Sequence, residues 1–208
     1  PIILVDKKLT SSMDSIEYLK QHFNYDGKVY ILGQTASVSE EYVNYIKNLG
    51  CKNIIRLGGS DRFDTNKKIV DTLDVQKGTP VVITNGYGFA DALSVSSVAA
   101  SKGYPILMSN SSNLSDEIKQ KIKDIQPSQV YLIGGQGSLN NNIVSEIENI
   151  VPQLGDSNIN RIGGSTRYDT SLDISKYFNM DSDTAVITNG QNFPDALSGS
   201  ALASKLNA

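Results

Sequence analysis

The chain repeats itself with a period close to half of its 208 residues, and this repetition limits the folds that it can adopt. The segment "TNGYGFADALSVSSVAASKGY", which begins at Thr84, returns as "TNGQNFPDALSGSALASKLNA", which begins at Thr188. "RLGGSDRFDT", from Arg56, returns as "RIGGSTRYDT", from Arg161. The chain is therefore expected to be built from repeated modules rather than from one large unrepeated domain.

The order of these landmarks along the chain predicts three segments. Residues 1–50 are expected to be the back half of one module, residues 51–154 a complete module, and residues 155–208 the front half of a further module. We interpret this register as a chain cut within a module. The two incomplete ends are expected to complete each other, within one chain or between two copies. Pro1 would then lie near Ala208, with Ile2–Val5 paired beside the strand "AVIT" or its sheet neighbours.

Short apolar runs alternate with helical patterns inside the complete module. The strands are predicted at "NIIRLGG", "PVVIT", "PILMS" and "QVYLIGG". Helices are predicted after Thr65 and Ser115, which would cap them, and from Ser138, while the small residues after Asn85 predict a closely packed helix. Strict alternation of this kind predicts an α/β fold of tandem modules, each a mostly parallel sheet flanked by helices.

Composition and missing motifs exclude several classes of function. A net charge of −3 argues against broad nucleic-acid binding, and no apolar run is long enough to span a membrane. With one histidine, His22, and one cysteine, Cys51, a zinc site built from such ligands is excluded. The nucleophile elbow, the phosphate-binding loop and the zinc-protease motif are all absent. We therefore predict no metal, no cofactor and no catalytic residue.

Two glycine-containing loops in each copy follow strands and open helices, where α/β proteins bind ligands. Free N–H groups and the helix dipole favour anions there. The alternative is that the loops are turns in which glycine and asparagine permit a positive φ. The candidate ligand-binding residues of the first copy are Arg56, Arg62, Asn85, Gly86 and Asp91, and those of the second are Arg161, Arg167, Asn189, Gly190 and Asp195.

Arg62 and Asp91 recur together as Arg167 and Asp195. An arginine–carboxylate pair would lock two neighbouring loops through bidentate hydrogen bonds, and this is the interpretation that we favour. Alternatively, the arginine binds a phosphate or carboxylate of a ligand and the aspartate orients it.

The ordered set of motifs "RLGGSDRFDT", "VVITNGYGFADALS", "PILMS" and "VYLIGGQGSL" resembles the cell wall binding repeat type 2 family. Such repeats occur in tandem in Gram-positive surface proteins, including clostridial S-layer-associated proteins. The resemblance covers almost the whole chain. It implies Toprim-like or Rossmann-like modules that pack on neighbouring repeats and form a secreted, non-catalytic anchor on an anionic wall polysaccharide, without nucleic-acid or membrane partners.

In this family a "P-I-L-L" segment is implicated in anchoring. The resemblance places it here on Ile2, Ile3 and Leu4 and again on Ile106, Leu107 and Met108. An apolar tripeptide in a buried strand is more naturally part of the core, so we interpret both copies as structural support. The main alternative to an anchor is an enzyme that acts on a phosphorylated or nucleotide-linked substrate at the carboxyl ends of the strands.

Overall fold

The computed structural model describes residues 2–206, which fall into two compact units that divide between Ile69 and Val70. The first unit contains α1 (Met13–His22), β1 (Lys28–Leu32), α2 (Glu40–Asn48), β2 (Asn53–Leu57) and most of α3 (Arg62–Asp71). Strands β1 and β2 pair in parallel, with Lys28 opposite Asn53. The predicted approach of Pro1 to Ala208 lies outside the described residues.

The second unit is built on a four-stranded parallel sheet. Its elements are β3 (Val81–Asn85), α4 (Phe89–Lys102), β4 (Ile106–Ser109), α5 (Asp116–Ile125), β5 (Val130–Ile133), α6 (Asn142–Ile150), β6 (Ile159–Ile162), α7 (Arg167–Tyr177) and α8 (Pro194–Leu206). The strand order is β4-β3-β5-β6. The predicted α/β class, with parallel sheets flanked by helices, is confirmed.

Both faces of this sheet are covered by helices. Val81, Ile83 and Leu132 share one buried cluster with isoleucines of α5 and α6. Val82 and Tyr131 belong to a second cluster, with residues of α4 and α7. Because neighbouring residues of a strand point to opposite faces, burial on both sides makes the strands continuously apolar, as the runs "PVVIT" and "VYLI" indicate.

The helix starts follow the sequence prediction at Ser115 and differ from it at Thr65 and Ser138. Ser115 caps α5, since its side chain accepts the Ile118 N–H. Thr65, in contrast, lies inside α3, which begins at Arg62. The Asp61 carboxylate accepts the first N–H groups of that helix, a role that a side chain one residue before the helix performs best. Helix α7, which is equivalent to α3, is capped by Thr166. Helix α6 begins at Asn142, not from Ser138.

The sheets do not follow the predicted module boundaries. Strand β2 belongs to the predicted module 51–154 but pairs with β1 of the preceding segment. Strand β6, from the predicted segment 155–208, pairs with β5 and completes the four-stranded sheet. The strand that opens each repeat thus joins the sheet of the repeat before it, and the boundaries themselves stay a prediction.

Two predicted strands do not form within the described residues. Residues 2–5 and residues 185–188 are irregular, although their counterparts are β4 and β3. Ile187 is 93% exposed, whereas its counterpart Ile83 is fully buried between β4 and β5. A strand needs hydrogen-bonded neighbours, and no described strand lies beside either segment. The expected pairing of Ile2–Val5 with "AVIT", within one chain or between two copies, stays a prediction.

The two copies of the "P-I-L-L" segment differ in the same way. Leu107 is fully buried in β4, with Ile106 and Met108 half-buried on either side, as expected of structural support. Ile2 and Leu4 are each about half exposed, so the expectation of a buried strand is wrong at the first copy.

Candidate functional site

The side chain of Asn85 links two loops at the carboxyl edge of the four-stranded sheet. Its amide nitrogen donates to the Ser138 carbonyl at 2.8 Å, and its amide oxygen accepts the Tyr87 N–H at 2.8 Å. The neighbouring Gly86 N–H donates to the Ser109 carbonyl at 2.7 Å. Asn85 therefore connects the loop after β3 to the loop after β5.

Asp91, in the first turn of α4, is fixed by the same loop. Its carboxylate accepts a hydrogen bond from the Ser138 hydroxyl at 2.8 Å. Gly134 has a φ of +111°, and a Cβ there would lie 2.5 Å from the Asp91 carboxylate. The position therefore requires glycine for both backbone conformation and space.

Arg56 and Arg161 occupy equivalent places and make equivalent contacts. Arg161 donates to the Gly134 carbonyl at 3.0 Å, and Arg56 donates to the Gly33 carbonyl at 3.0 Å. Burial lowers the pKa of Arg161, although an arginine stays protonated throughout the physiological range. Each guanidinium thus holds the loop that follows the neighbouring strand.

The paired glycines bring the backbones of adjacent loops together. A Cβ on Gly163 would lie 2.5 Å from the carbonyl carbon of Gly134, and a Cβ on Gly58 would lie 2.5 Å from that of Gly33. Neither Gly58 nor Gly163 has a positive φ. Close approach of the backbone, rather than the expected positive φ, is the physical reason for glycine here.

Arg167 is exposed, and the ion pair that was predicted for it does not form among the described residues. Its guanidinium donates to the Gly190 carbonyl at 2.8 Å and lies 5.4 Å from the centre of the Phe89 ring. In the described part of the chain it does not pair with Asp195, which is exposed in the first turn of α8. The equivalent Asp91 is held by Ser138 of its own copy, so the recurring arginine and aspartate need not meet. The pairing of Arg62 with Asp91 stays a prediction.

Asn189 and Gly190 form a turn like that of Asn85. The Asn189 side chain accepts the Gln191 N–H at 2.8 Å. A Cβ on Gly190 would lie 2.7 Å from the Tyr168 ring, so this ring packs directly on the glycine backbone. Gln191 donates to the Tyr168 hydroxyl at 2.6 Å, which fixes the position of the ring.

An open cleft of about 360 Å³ lies within the second unit, between α4, α7, α8 and residues 182–190. This cavity, lined by residues of α4, α7, α8 and 182–190, is named the cleft. Arg167, Tyr168 and Asn189 stand in its lining, together with hydroxyl side chains that include Ser97, Ser171, Thr184 and Thr188. Hydroxyl and amide groups beside a cation suit a ligand that offers many hydrogen-bonding groups and a negative charge.

Three aromatic side chains beside the cleft escaped the sequence analysis, and we name them the aromatic rim: Phe89, Tyr168 and Phe193. Their exposed fractions are 36%, 54% and 49%. The rings of Phe89 and Phe193 lie 5.8 Å apart, although they come from equivalent positions in the two copies. The recurrence of phenylalanine in "NGYGF" and "NGQNF" was the available signal.

Within residues 2–206, neither a metal-binding cluster nor a membrane-spanning helix is found. No cluster of three or more His, Cys, Asp or Glu side chains in this range is arranged to hold a metal ion. None of the helices in the range combines the length and apolarity required to cross a membrane.

Comparison with known proteins identifies both sequence and structural relatives. The family model for cell wall binding domain 2 (CWB2) matches residues 56–144 and 161–208. N-acetylmuramoyl-L-alanine amidase LytC of Bacillus subtilis (strain 168) is 34% identical over 177 residues, which are 85% of this chain and 33% of that protein. The Amidase enhancer of the same organism is 32% identical over 187 residues, 89% of this chain and 24% of that protein.

Two solved structures from Clostridium difficile share the fold. Cwp6 superposes with a TM-score of 0.76 at 28% identity, covering 93% of this chain and 30% of that one. Cwp8 superposes with a TM-score of 0.73 at 26% identity, covering 88% of this chain and 31% of that one. The chain thus spans a third or less of the length of each relative.

Proposed function

This chain belongs to the cell wall binding domain 2 family, and from that premise we propose that it is a non-catalytic anchor that binds an anionic polysaccharide of the wall without a covalent bond. Family and relatives together assign it to cell-wall binding at the cell surface. The proposal adds the chemistry of the partner and the place where it binds.

The proposal rests on the contacts and the exposure of Arg167. Its guanidinium donates one described hydrogen bond, to the Gly190 carbonyl, and contacts the Phe89 ring, while the residue itself is exposed and lines the cleft. Arginine presents five donors in a rigid fork that fits carboxylate and phosphate groups. A hydroxyl-lined cleft beside such a cation matches a sugar polymer that carries acidic groups. Because the net charge of the chain is −3, this attraction is local rather than general.

The absence of catalysis is proposed from the way in which the candidate groups are used. Asp91 is bonded to Ser138, Asn85 bridges two loops, and Arg161 holds the Gly134 carbonyl. Each of these polar groups is engaged in a hydrogen bond that stabilises the loops at the edge of the sheet. We expect no hydrolysis of wall fragments, nucleotides or phospho-sugars, measured as product released over hours. Turnover that is abolished by Asp91→Asn would contradict this.

Substitution of Arg167 tests the binding proposal. We expect Arg167→Gln to weaken binding to the anionic polysaccharide by about tenfold or more, because a charge-assisted hydrogen bond is lost. Sedimentation of the chain with isolated cell walls, at several wall concentrations, measures this. Lys176→Gln is the matched control, since it removes the same charge from the exposed far end of α7.

The melting temperature decides between a contact and a structural role for Arg167. If Arg167→Gln melts like the wild type and loses binding while Lys176→Gln keeps it, the proposal holds. Equal binding by all three proteins would overturn the assignment of Arg167 to the polysaccharide.

A further inference from the structure

We propose that the aromatic rim is a stacking platform for a sugar ring, and that it places the acidic group of that sugar unit against Arg167. This inference rests on the proposed function and assigns the ligand contacts within it. It names a pyranose that carries a carboxylate or phosphate group as the unit that the cleft recognises.

The exposure of the aromatic rim is the first argument. Large apolar side chains of a folded domain are usually buried, yet Tyr168, which lines the cleft, is about half exposed. Phe193, which contacts the Phe89 ring of that lining, is also about half exposed. Phe63, the counterpart of Tyr168 in the earlier copy, is 8% exposed. An exposed cluster of aromatic side chains indicates a surface that a partner covers.

The rings of the aromatic rim are held in place, which is the second argument. Tyr168 packs on the Gly190 backbone and accepts a hydrogen bond from Gln191 at 2.6 Å. The centre of the Phe89 ring lies 5.8 Å from that of Phe193 and 5.4 Å from the Arg167 guanidinium. Rings fixed before binding lose little conformational entropy when a ligand packs on them.

The combination of chemical groups selects the ligand class, which is the third argument. Aromatic faces pack on the apolar C–H face of a pyranose, while its hydroxyls need hydrogen-bonding partners such as Ser97, Ser171 and Thr188. Arg167 joins the aromatic and the polar parts of the cleft, because its guanidinium contacts the Phe89 ring and also offers N–H donors to an anion. A purely apolar partner would leave this cation and these hydroxyls unsatisfied.

A fluorescent reporter tests the platform directly, because the chain contains no tryptophan. Phe193→Trp keeps an aromatic ring and introduces a single indole. The probe is the anionic polysaccharide released from cell walls of Bacillus subtilis or Clostridium difficile, whichever walls sediment with the wild type. We expect the indole emission to shift to shorter wavelength and to saturate with added polysaccharide. Tyr168→Trp is the second reporter if the first variant does not fold.

Truncation of the rings measures their contribution. We expect Phe193→Ala and Tyr168→Ala to weaken binding of the same polysaccharide about tenfold each. Tyr168→Phe, which keeps the ring but loses its hydrogen bond to Gln191, should weaken binding less than Tyr168→Ala. Tyr18→Ala, which removes a ring of similar exposure on α1, is the matched control.

The outcomes separate the two proposals. Binding to walls with no emission change and no effect of either truncation would overturn the platform and leave the anchor function standing. A wild-type chain that binds no wall and no released polysaccharide would overturn both. A shift that saturates, together with weaker binding by both truncated variants but not by Tyr18→Ala, would establish the platform.

Discussion

Gly163 follows β6, and Gly137 lies in the loop after the neighbouring strand β5, yet their surroundings differ completely. A Cβ on Gly163 would lie 2.5 Å from the backbone of Gly134, whereas a Cβ on Gly137 would meet nothing within 4 Å. Backbone atoms cannot rotate away from such a contact as a flexible side chain can. The glycine at position 163 is therefore a steric requirement of the joined loops.

This difference predicts the effect of two identical substitutions. Gly163→Ala is expected to lower the free energy of unfolding by about 1–3 kcal/mol, because the new methyl group forces two loop backbones apart. Gly137→Ala is the control and should change it by less than about 0.5 kcal/mol. Urea unfolding of both variants checks this, and equal midpoints for the two would contradict the described approach of the loops.

At the residue scale, recurrence in the sequence identified positions that matter but not their partners. Arg161 and Asp91 were predicted as candidate ligand contacts, and the structure places them in hydrogen bonds to Gly134 and Ser138. A repeat shows that two residues share an environment, whereas a hydrogen bond depends on distances of a few tenths of an ångström. The expected Arg167–Asp195 pair failed for this reason.

At the scale of elements, a strand is specified by its neighbours as much as by its own residues. "PVVIT" and "AVIT" are nearly the same sequence, and the sequence predicted a strand at both. Ile83 is buried in β3 between two partner strands, while Ile187 is almost fully exposed in an irregular segment. Apolar runs therefore predicted β3, β4 and β5 correctly, but no local pattern could report a missing partner strand.

The two isoleucines allow a matched measurement within one unit. Ile83→Ala is expected to lower the free energy of unfolding by about 2–5 kcal/mol, because it leaves a cavity in the core. Ile187→Ala should change it by less than about 0.5 kcal/mol, since its side chain is already in water. Equal losses would contradict the described exposure of Ile187. They would support instead the predicted completion of one end of the chain by the other.

At the scale of the whole molecule, the repeats of the sequence and the sheets of the fold are out of phase by one strand. Strand β6 completes the sheet of β3, β4 and β5, although it opens the next repeat. Sequence periodicity predicts that modules exist, but it does not reveal which module a terminal strand joins, because strand pairing is a long-range contact. The α/β class was predictable from alternation alone.

The aromatic rim is also a property of the whole unit. Phe89 and Phe193 come from different copies and meet only because α4 and α8 pack together. The sequence showed two equivalent phenylalanines, and their contact needed the fold. We therefore expect binding at the proposed site to require two successive repeats in one unit.

The central claim is that this chain holds to the cell wall through an anionic polysaccharide. The measurement that tests it most directly is sedimentation of the full chain with cell walls before and after chemical removal of their anionic polysaccharide. We predict binding to the intact walls that weakens as the salt concentration rises, and a loss of that binding once the polysaccharide is removed. Undiminished binding to the stripped walls would contradict the claim.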